Sequence, residues 1–382
     1  MDLDGKVRLL ADSARFDLCG SCFGQPSRKS NPQGGWIYPV SLPDGRVVKV
    51  LKILLSNDCV HDCFYCANRA GSPFRRTSLK AEELVALFLR LWQKGLVKGL
   101  FLSSAVSRDP TWTMNEMLKT VEMLRKKFHF RGYIHLKILP EATRDYIEEA
   151  VCLATRVSVN LEAPNPNYLS AIAPQKSFSR IMGLFSLLSD LRRKGLCAPA
   201  GITTQFVVGG STEKDREILG TAFLLYRKFC LARVYYSAFQ PVWGTPFSGR
   251  PAVSSWREVR LYQVDYLLRR YQFSLDEIYF SEDGNLPLDQ DPKTLWALRH
   301  PEFFPVEVNK ASFGDLLKVP GIGPLSARRI VEARKKGKIA DITSLKKMGI
   351  RIKKASPFLL IDGKKPCDSG RKQLSLFAKL NF

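Results

Sequence analysis

Acidic residues are scarce in this chain: 36 Asp and Glu stand against 59 Lys and Arg in 382 residues, a formal charge of +23. An imbalance of that size argues against a basic partner and for a polyanion, nucleic acid first and an anionic membrane surface second. Long hydrophobic runs are also lacking. None approaches the roughly 20 residues a membrane helix needs, and Met1 to Lys6 lack the basic and apolar regions of a signal peptide, so no membrane role and a cytoplasmic location are expected. A disulfide framework is absent too. Nine cysteines, an odd number, with three of them in one short stretch, point to metal binding and free thiols. What remains, 45% hydrophobic and 25% charged, is the composition of a globular chain long enough for more than one domain.

Alternation of strand-like and helix-like segments dominates the middle of the chain. Residues 1–35 look weakly structured. Cys19 and Cys22 lie there as a Cys-x2-Cys with no second pair at zinc-site spacing, and are read as ordinary thiols. Trp36–Val40, the turn Pro43-Asp44-Gly45 and the apolar run Val47–Leu55 form a hairpin. Helical periodicity over 79–94, 113–128, 144–154, 177–194 and 213–229 alternates with strands over 99–104, 133–139, 156–161, 201–208 and 233–239. With the strand before them these make six βα units, hence a parallel sheet with right-handed crossovers. Six units fall short of a closed eight-fold barrel. The expected fold is therefore α/β, a partial (β/α)6 TIM-like barrel, with a C-terminal all-α module. Expected boundaries are 1–46 for an N-terminal extension, 47–243 for the barrel core, 244–306 for an extension of it, 307–365 for a basic module and 366–382 for a tail.

The chemistry concentrates in Asn57-Asp58-Cys59-Val60-His61-Asp62-Cys63-Phe64-Tyr65-Cys66-Ala67-Asn68. Cys59, Cys63 and Cys66, spaced Cys-x3-Cys-x2-Cys, follow a buried strand, where α/β barrels carry their sites. Structural zinc with His61 or Asp62 as fourth ligand is the alternative, but zinc sites pair such cysteines with a distant second pair and none is evident. Three thiolates are one short of closing an iron–sulfur cluster, leaving one iron open to a ligand.

This spacing, with aromatic Tyr65 before the last cysteine, resembles the signature of radical S-adenosylmethionine enzymes. The resemblance implies that Cys59, Cys63 and Cys66 bind a [4Fe–4S] cluster whose fourth iron chelates S-adenosylmethionine. It further implies one-electron cleavage to a 5′-deoxyadenosyl radical and an electron donor of flavodoxin or ferredoxin type. It places cofactor contacts at Tyr65, at Ser103 and Ser104 (where the family often has Gly-Gly-Glu), at Asn160 and Glu162 after the fourth strand, and at Val208 before the turn Gly209-Gly210. On the third strand His135 and Lys137 alternate with apolar residues; His135 faces the lumen or is buried.

Half the excess charge lies in a fifth of the chain: residues 307–382 hold 18 Lys and Arg against 6 Asp and Glu, net +12. Two helices, 312–319 and 325–336, flank Val319-Pro320-Gly321-Ile322-Gly323-Pro324, which resembles the helix-hairpin-helix motif of DNA repair and replication proteins. Gly321 and Gly323 let backbone N–H groups and a helix N-terminus face a phosphate, Ile322 plugs the core, and Ser326, Arg328 and Arg329 add contacts. A second copy, 342–348, Gly349-Ile350-Arg351-Ile352 and a helix from Lys353, lacks the second glycine. Such hairpins grip DNA backbone without sequence preference. Gln373, Leu374, Leu376 and Phe377, in Gln-Leu-Ser-Leu-Phe, resemble the peptide that docks bacterial repair proteins on the sliding clamp.

Together these segments resemble a family of radical S-adenosylmethionine proteins assigned to DNA modification or repair. The expected activity is radical chemistry on a nucleotide in DNA. Radical chemistry on RNA, and a DNA-binding protein with a non-catalytic cluster, are the alternatives.

Overall fold

The computed structural model describes residues 2–14, 36–41, 45–196 and 198–366. Cys19, Cys22 and the Gln373–Phe377 stretch therefore lie outside the described residues. The chain divides into two compact units, residues 1–262 and 263–382.

The first unit opens with a helix that the reading of residues 1–35 as weakly structured did not anticipate, α1 (Leu3–Ala14). Val7, Leu10, Ala11 and Ala14 recur at helical spacing and are all buried, so one apolar stripe is enough to fold it. Strand β1 (Ile37–Ser41) then pairs antiparallel with β2 (Val47–Leu54). From β2 onward every neighbour is parallel: α2 (Ala81–Gln93), β3 (Gly99–Ser103), α3 (Pro110–Glu122), β4 (Tyr133–Lys137), α4 (Arg144–Leu153), β5 (Arg156–Ser158), α5 (Pro166–Ile172), α6 (Phe178–Arg193), β6 (Ile202–Val208), α7 (Asp215–Phe229) and β7 (Arg233–Ala238). The sheet runs β1 to β7 in sequence order. Six parallel βα units thus form the expected partial TIM-like barrel, with β1 as an antiparallel edge.

Local chemistry sets the helix starts. Asp109, Asn165 and Ser177 each accept a hydrogen bond from a first-turn backbone N–H, and Pro110 and Pro166 occupy the first turn, where a missing N–H costs nothing. Strand β5 ends at Ser158, three residues before the sequence pattern ends, and Glu162 adopts a left-handed backbone with φ +68°.

The unit boundary falls within α8 (Ser255–Arg270). The second unit continues with α9 (Pro292–Arg299), β8 (Val306–Glu307), α10 (Phe313–Lys318), α11 (Pro324–Lys336), α12 (Ile342–Lys347), α13 (Ile352–Ala355) and β9 (Leu359–Leu360). A short parallel ladder, β8 with β9, joins the helices expected there. Its core gathers Leu316, Leu317, Ile322, Ile330, Leu345 and Leu359, all within 1% of complete burial.

Candidate active site

A cavity opens at the C-terminal end of the parallel sheet. Cys59, Cys63, Tyr65 and Cys66 line it, together with Ser103, Ser104, Lys137, Asn160, Glu162 and Lys176. Residues far apart in sequence, from β2 to β5 and the loops after them, therefore converge on one space, as the parallel topology requires. Val208 is not part of that lining. Strand alternation turns it into the core, fully buried, and presents Gln205 and Val207 instead.

The cysteine loop is braced from several sides. Its backbone accepts four hydrogen bonds from the guanidinium of Arg76, at the carbonyls of Asn57, Asn68, Arg69 and Ser72. Asn57 donates to Ser13 Oγ at 3.1 Å, which ties α1 to the start of the loop. Phe64 N–H donates to the Ile172 carbonyl at 2.9 Å, and Asp62 N–H donates to the Gln175 side chain. The loop is preformed by its own backbone and by the segment after α5.

The donor set fits an iron–sulfur cluster with an open iron. Two sulfurs, those of Cys59 and Cys66, accept backbone N–H bonds at 3.4 Å from His61 and Asn68; bonds of this kind tune cluster potentials. Burial pushes the Cys63 thiol up to about 11 and the Cys66 thiol up to about 12, with the neighbouring thiols adding to the rise. Iron binding would displace protons from both. Among the described residues, no three His, Cys, Asp or Glu side chains converge as ligands of a single ion; a cluster spreads its thiolates over separate irons.

Glu162 is the other centre of the site. At 3% exposure it is a buried carboxylate, not a solvated loop residue. Lys176 Nζ donates to its Oε1 at 2.7 Å, and both side chains are sequestered. Burial alone would lower the Lys176 pKa, but Glu162 and the Cys63 and Cys66 thiolates hold it above the ordinary lysine value. Tyr65 is pushed well up by burial and then by Glu162, which its hydroxyl faces. A carboxylate, an ammonium and a phenol thus stand beside the three thiols. Glu162 in the left-handed region costs about 1–3 kcal/mol. The strain is held by backbone bonds to β6, from Glu162 N–H to Gln205 at 2.9 Å and from Val207 N–H to Glu162 at 2.8 Å.

Below this layer the sheet face is polar. His135, 5% exposed, stacks on Phe101 with ring centroids 4.0 Å apart, and Lys52 lies over the same Phe101 ring at 4.9 Å. His135 is thus buried, its pKa well below the usual value through burial and then the Arg156 charge. Lys137 lines the cavity itself.

In the second unit, Gly321 has φ +82°, and a Cβ there would sit 2.7 Å from the Arg351 carbonyl oxygen. The close approach belongs to a backbone bond: Arg351 N–H donates to the Gly321 carbonyl at 3.1 Å. The two hairpins therefore abut. Ile322 is 1% exposed in the core, Gly323 caps α11, and Arg328 and Arg329 are exposed. Ser326 is buried, 8% exposed. Lys293, which no motif singles out, is buried beneath the hairpin and donates to the Ile322 carbonyl at 2.6 Å.

Sequence comparison assigns both regions. Residues 53–225 match the Radical SAM superfamily model and residues 303–354 the Helix-hairpin-helix motif model. No curated protein matches the chain. Among solved structures, methylornithine synthase is similar at 14% identity, covering 57% of this chain and 61% of its own, with a TM-score of 0.46. The FeFe-hydrogenase maturase HydG from Carboxydothermus hydrogenoformans is similar at 19% identity, covering 58% and 50%, with a TM-score of 0.45. A radical SAM methyltransferase from Sphaerobacter thermophilus is similar at 18% identity, covering 60% and 74%, with a TM-score of 0.43. The chain thus spans about three fifths of the first of these proteins and half of the second. It carries a radical S-adenosylmethionine superfamily domain, whose cofactors are a [4Fe–4S] cluster and S-adenosylmethionine, followed by a helix-hairpin-helix motif.

Proposed function

We propose that this enzyme acts on a nucleotide in DNA, repairing or modifying it. The observation that supports the reading is the pairing on one chain of a radical S-adenosylmethionine domain with a helix-hairpin-helix motif in a strongly basic segment. Arg329, Lys336 and Lys347 line a groove beside the hairpins with Glu332 as its one acid. Hairpin N–H groups and these cations suit phosphate oxygens, so duplex affinity is expected to be independent of sequence and steeply salt-dependent.

Cys59, Cys63 and Cys66 would hold the cluster. Glu162 and Lys176 carry the charges complementary to the amino and carboxylate groups of S-adenosylmethionine, and Ser103, Ser104 and Asn160 supply polar atoms around them. When bound, cluster and S-adenosylmethionine supply one-electron chemistry that ends in hydrogen abstraction from the substrate. The protein's share is to bind, orient and exclude water. Lys176 keeps its proton on Nζ and Tyr65 keeps its proton on the phenol oxygen, so neither offers a base. An electron donor protein is required, of flavodoxin or ferredoxin type.

The test is anaerobic reconstitution with iron, sulfide and S-adenosylmethionine, offering undamaged duplex, damaged duplex and structured RNA at matched salt. Mass spectrometry of digested nucleosides should show a new or removed modification with DNA. Product from RNA alone would transfer the activity to RNA. Iron-loaded protein that never yields 5′-deoxyadenosine would leave a non-catalytic iron–sulfur protein. The Gln373–Phe377 tail is proposed to dock on a sliding clamp, and a peptide of residues 368–382 that shows no affinity for purified clamp removes that partner.

A further inference from the structure

Large apolar side chains on a protein surface are ordinarily scattered and need no explanation. Trp243 differs in three respects. It is 73% exposed, more than any other large hydrophobic among the described residues. It follows Val242, and Ala238, Phe239, Gln240 and Val242 all line the cysteine cavity. It is also mounted on rigid supports. Its ring meets Phe74 edge-on at 6.1 Å, and Gly244 beside it, at φ +76°, fits so closely on Pro73 that a Cβ would lie 2.5 Å from the proline ring.

Those supports connect the indole to the cluster loop. Pro73 and Phe74 belong to the segment just after the cysteines, which Arg76 staples back to Asn57 and Asn68. On the other side, the same 239–247 stretch seats Phe247 edge-on against Phe64, between Cys63 and Tyr65, at 5.6 Å, and against Phe239 at 6.0 Å. Thr245 closes the turn by donating its hydroxyl to the Val242 carbonyl at 2.8 Å. A tryptophan held in water by a locked turn, one residue beyond Val242 of the cavity lining, has a π-face prepared for a flat partner.

We infer that Trp243 is a stacking platform for an unpaired nucleobase at the mouth of the cysteine cavity. The occupant follows from charge and shape. Exposed Arg75 follows Phe74, the ring that supports the indole, and exposed Arg250 lies over the buried Phe247 ring at 3.4 Å while donating to the Gly210 carbonyl at 2.8 Å; cations interleaved with aromatics are the composition that tracks a strand by phosphate and base together. The inference rests on the nucleic-acid reading above and deepens it: the substrate base leaves its stack and meets Trp243 before the reacting atoms are aligned.

The experiment uses the full-length protein with a single-stranded oligonucleotide carrying 2-aminopurine, and with the matching duplex. Binding is followed by anisotropy and stacking by quenching of the 2-aminopurine emission. Trp243→Ala should weaken single-strand binding about tenfold, as expected for one lost base–aromatic stack, and should abolish the quenching. Trp243→Phe should retain most of both. Duplex affinity, thermal midpoint and iron–sulfur absorbance should not change, because the side chain is exposed and touches no thiol. If Trp243→Ala binds and quenches like wild type while Arg328→Ala/Arg329→Ala binds duplex more weakly, the stacking assignment falls and the nucleic-acid function stands. If the wild-type protein binds no oligonucleotide at low salt, the function proposal and the stacking platform fall together.

Discussion

The two units handle positive charge in opposite ways. Around the cysteines, Lys176 is largely shielded from solvent, bound to one named carboxylate at 2.7 Å, and its charge serves a fixed local geometry. Around the hairpins, Arg328, Arg329, Lys335, Lys336, Lys347 and Arg351 stand exposed, and among the described residues no carboxylate is paired with them; of their side chains that of Arg329 alone donates, to the Met348 carbonyl at 3.3 Å. A desolvated charge interacts strongly with one group and barely feels salt; an exposed array interacts weakly with each phosphate and loses most of its effect by ~0.15 M salt, beyond a Debye length of about 8 Å. One arrangement suits chemistry at a point, the other a polymer that must be held anywhere along its length.

That contrast can be broken, starting from the largest effect. Cys63→Ala should remove iron–sulfur absorbance and all 5′-deoxyadenosine formation, while anisotropy with duplex DNA stays at wild-type affinity; joint loss would show that charge handling is not divided between the units. Lys176→Met leaves Glu162 buried and unpaired and should cost about 3–5 kcal/mol in denaturant unfolding. The loss should be the same at low and high salt, and Glu162→Gln/Lys176→Met should recover much of it. Arg328→Ala/Arg329→Ala should flatten the slope of log affinity against log salt by roughly 1.8, two phosphates at about 0.9 each, with thermal stability unchanged. An unaltered slope would take these arginines out of the interface.

The smallest effect sharpens the comparison, because one cation in the second unit behaves like those in the first. Lys293 lies over the Tyr271 ring at 4.5 Å, and burial lowers its pKa to about 7, partly opposed by Asp291. The unfolded chain, with the ordinary lysine value of 10.5, binds the proton more tightly. Between about pH 7 and 10.5 the unfolded state therefore holds more protons, and stability of this unit rises with pH, by at most about 1.4 kcal/mol per unit. Thermal midpoints between pH 7 and 9 should rise for wild type and lose that slope in Lys293→Met.

What the sequence disclosed was what local spacing encodes. The Cys-x3-Cys-x2-Cys loop and the Gly321-Ile322-Gly323 turn are short, and their chemistry is written in neighbouring residues. Lys176 escaped notice because its role exists only after α5 folds back and sets it against Glu162, 14 residues earlier. Strand parity, which the choice of Val208 did not weigh, turns its side chain into the core and gives the cavity Val207. Gln205, a polar residue in an apolar strand, was the signal that the odd-numbered positions of β6 face the cavity. Helix α1 was hidden by the Gly, Ser and Pro that follow it, although Val7, Leu10, Ala11 and Ala14 already spelled its buried face.

The left-handed backbone at Glu162 sets this site against the durability of the fold. Glycine there would adopt φ +68° without penalty, and an apolar residue at 176 would spare the barrel a buried ion pair. A Glu162→Gly/Lys176→Met chain is therefore expected to melt higher than the natural one while losing the charged pair proposed to meet the cofactor. Variants carrying both changes should pass a screen for heat resistance and fail one for turnover, whereas either change alone strands a charge and should fail both.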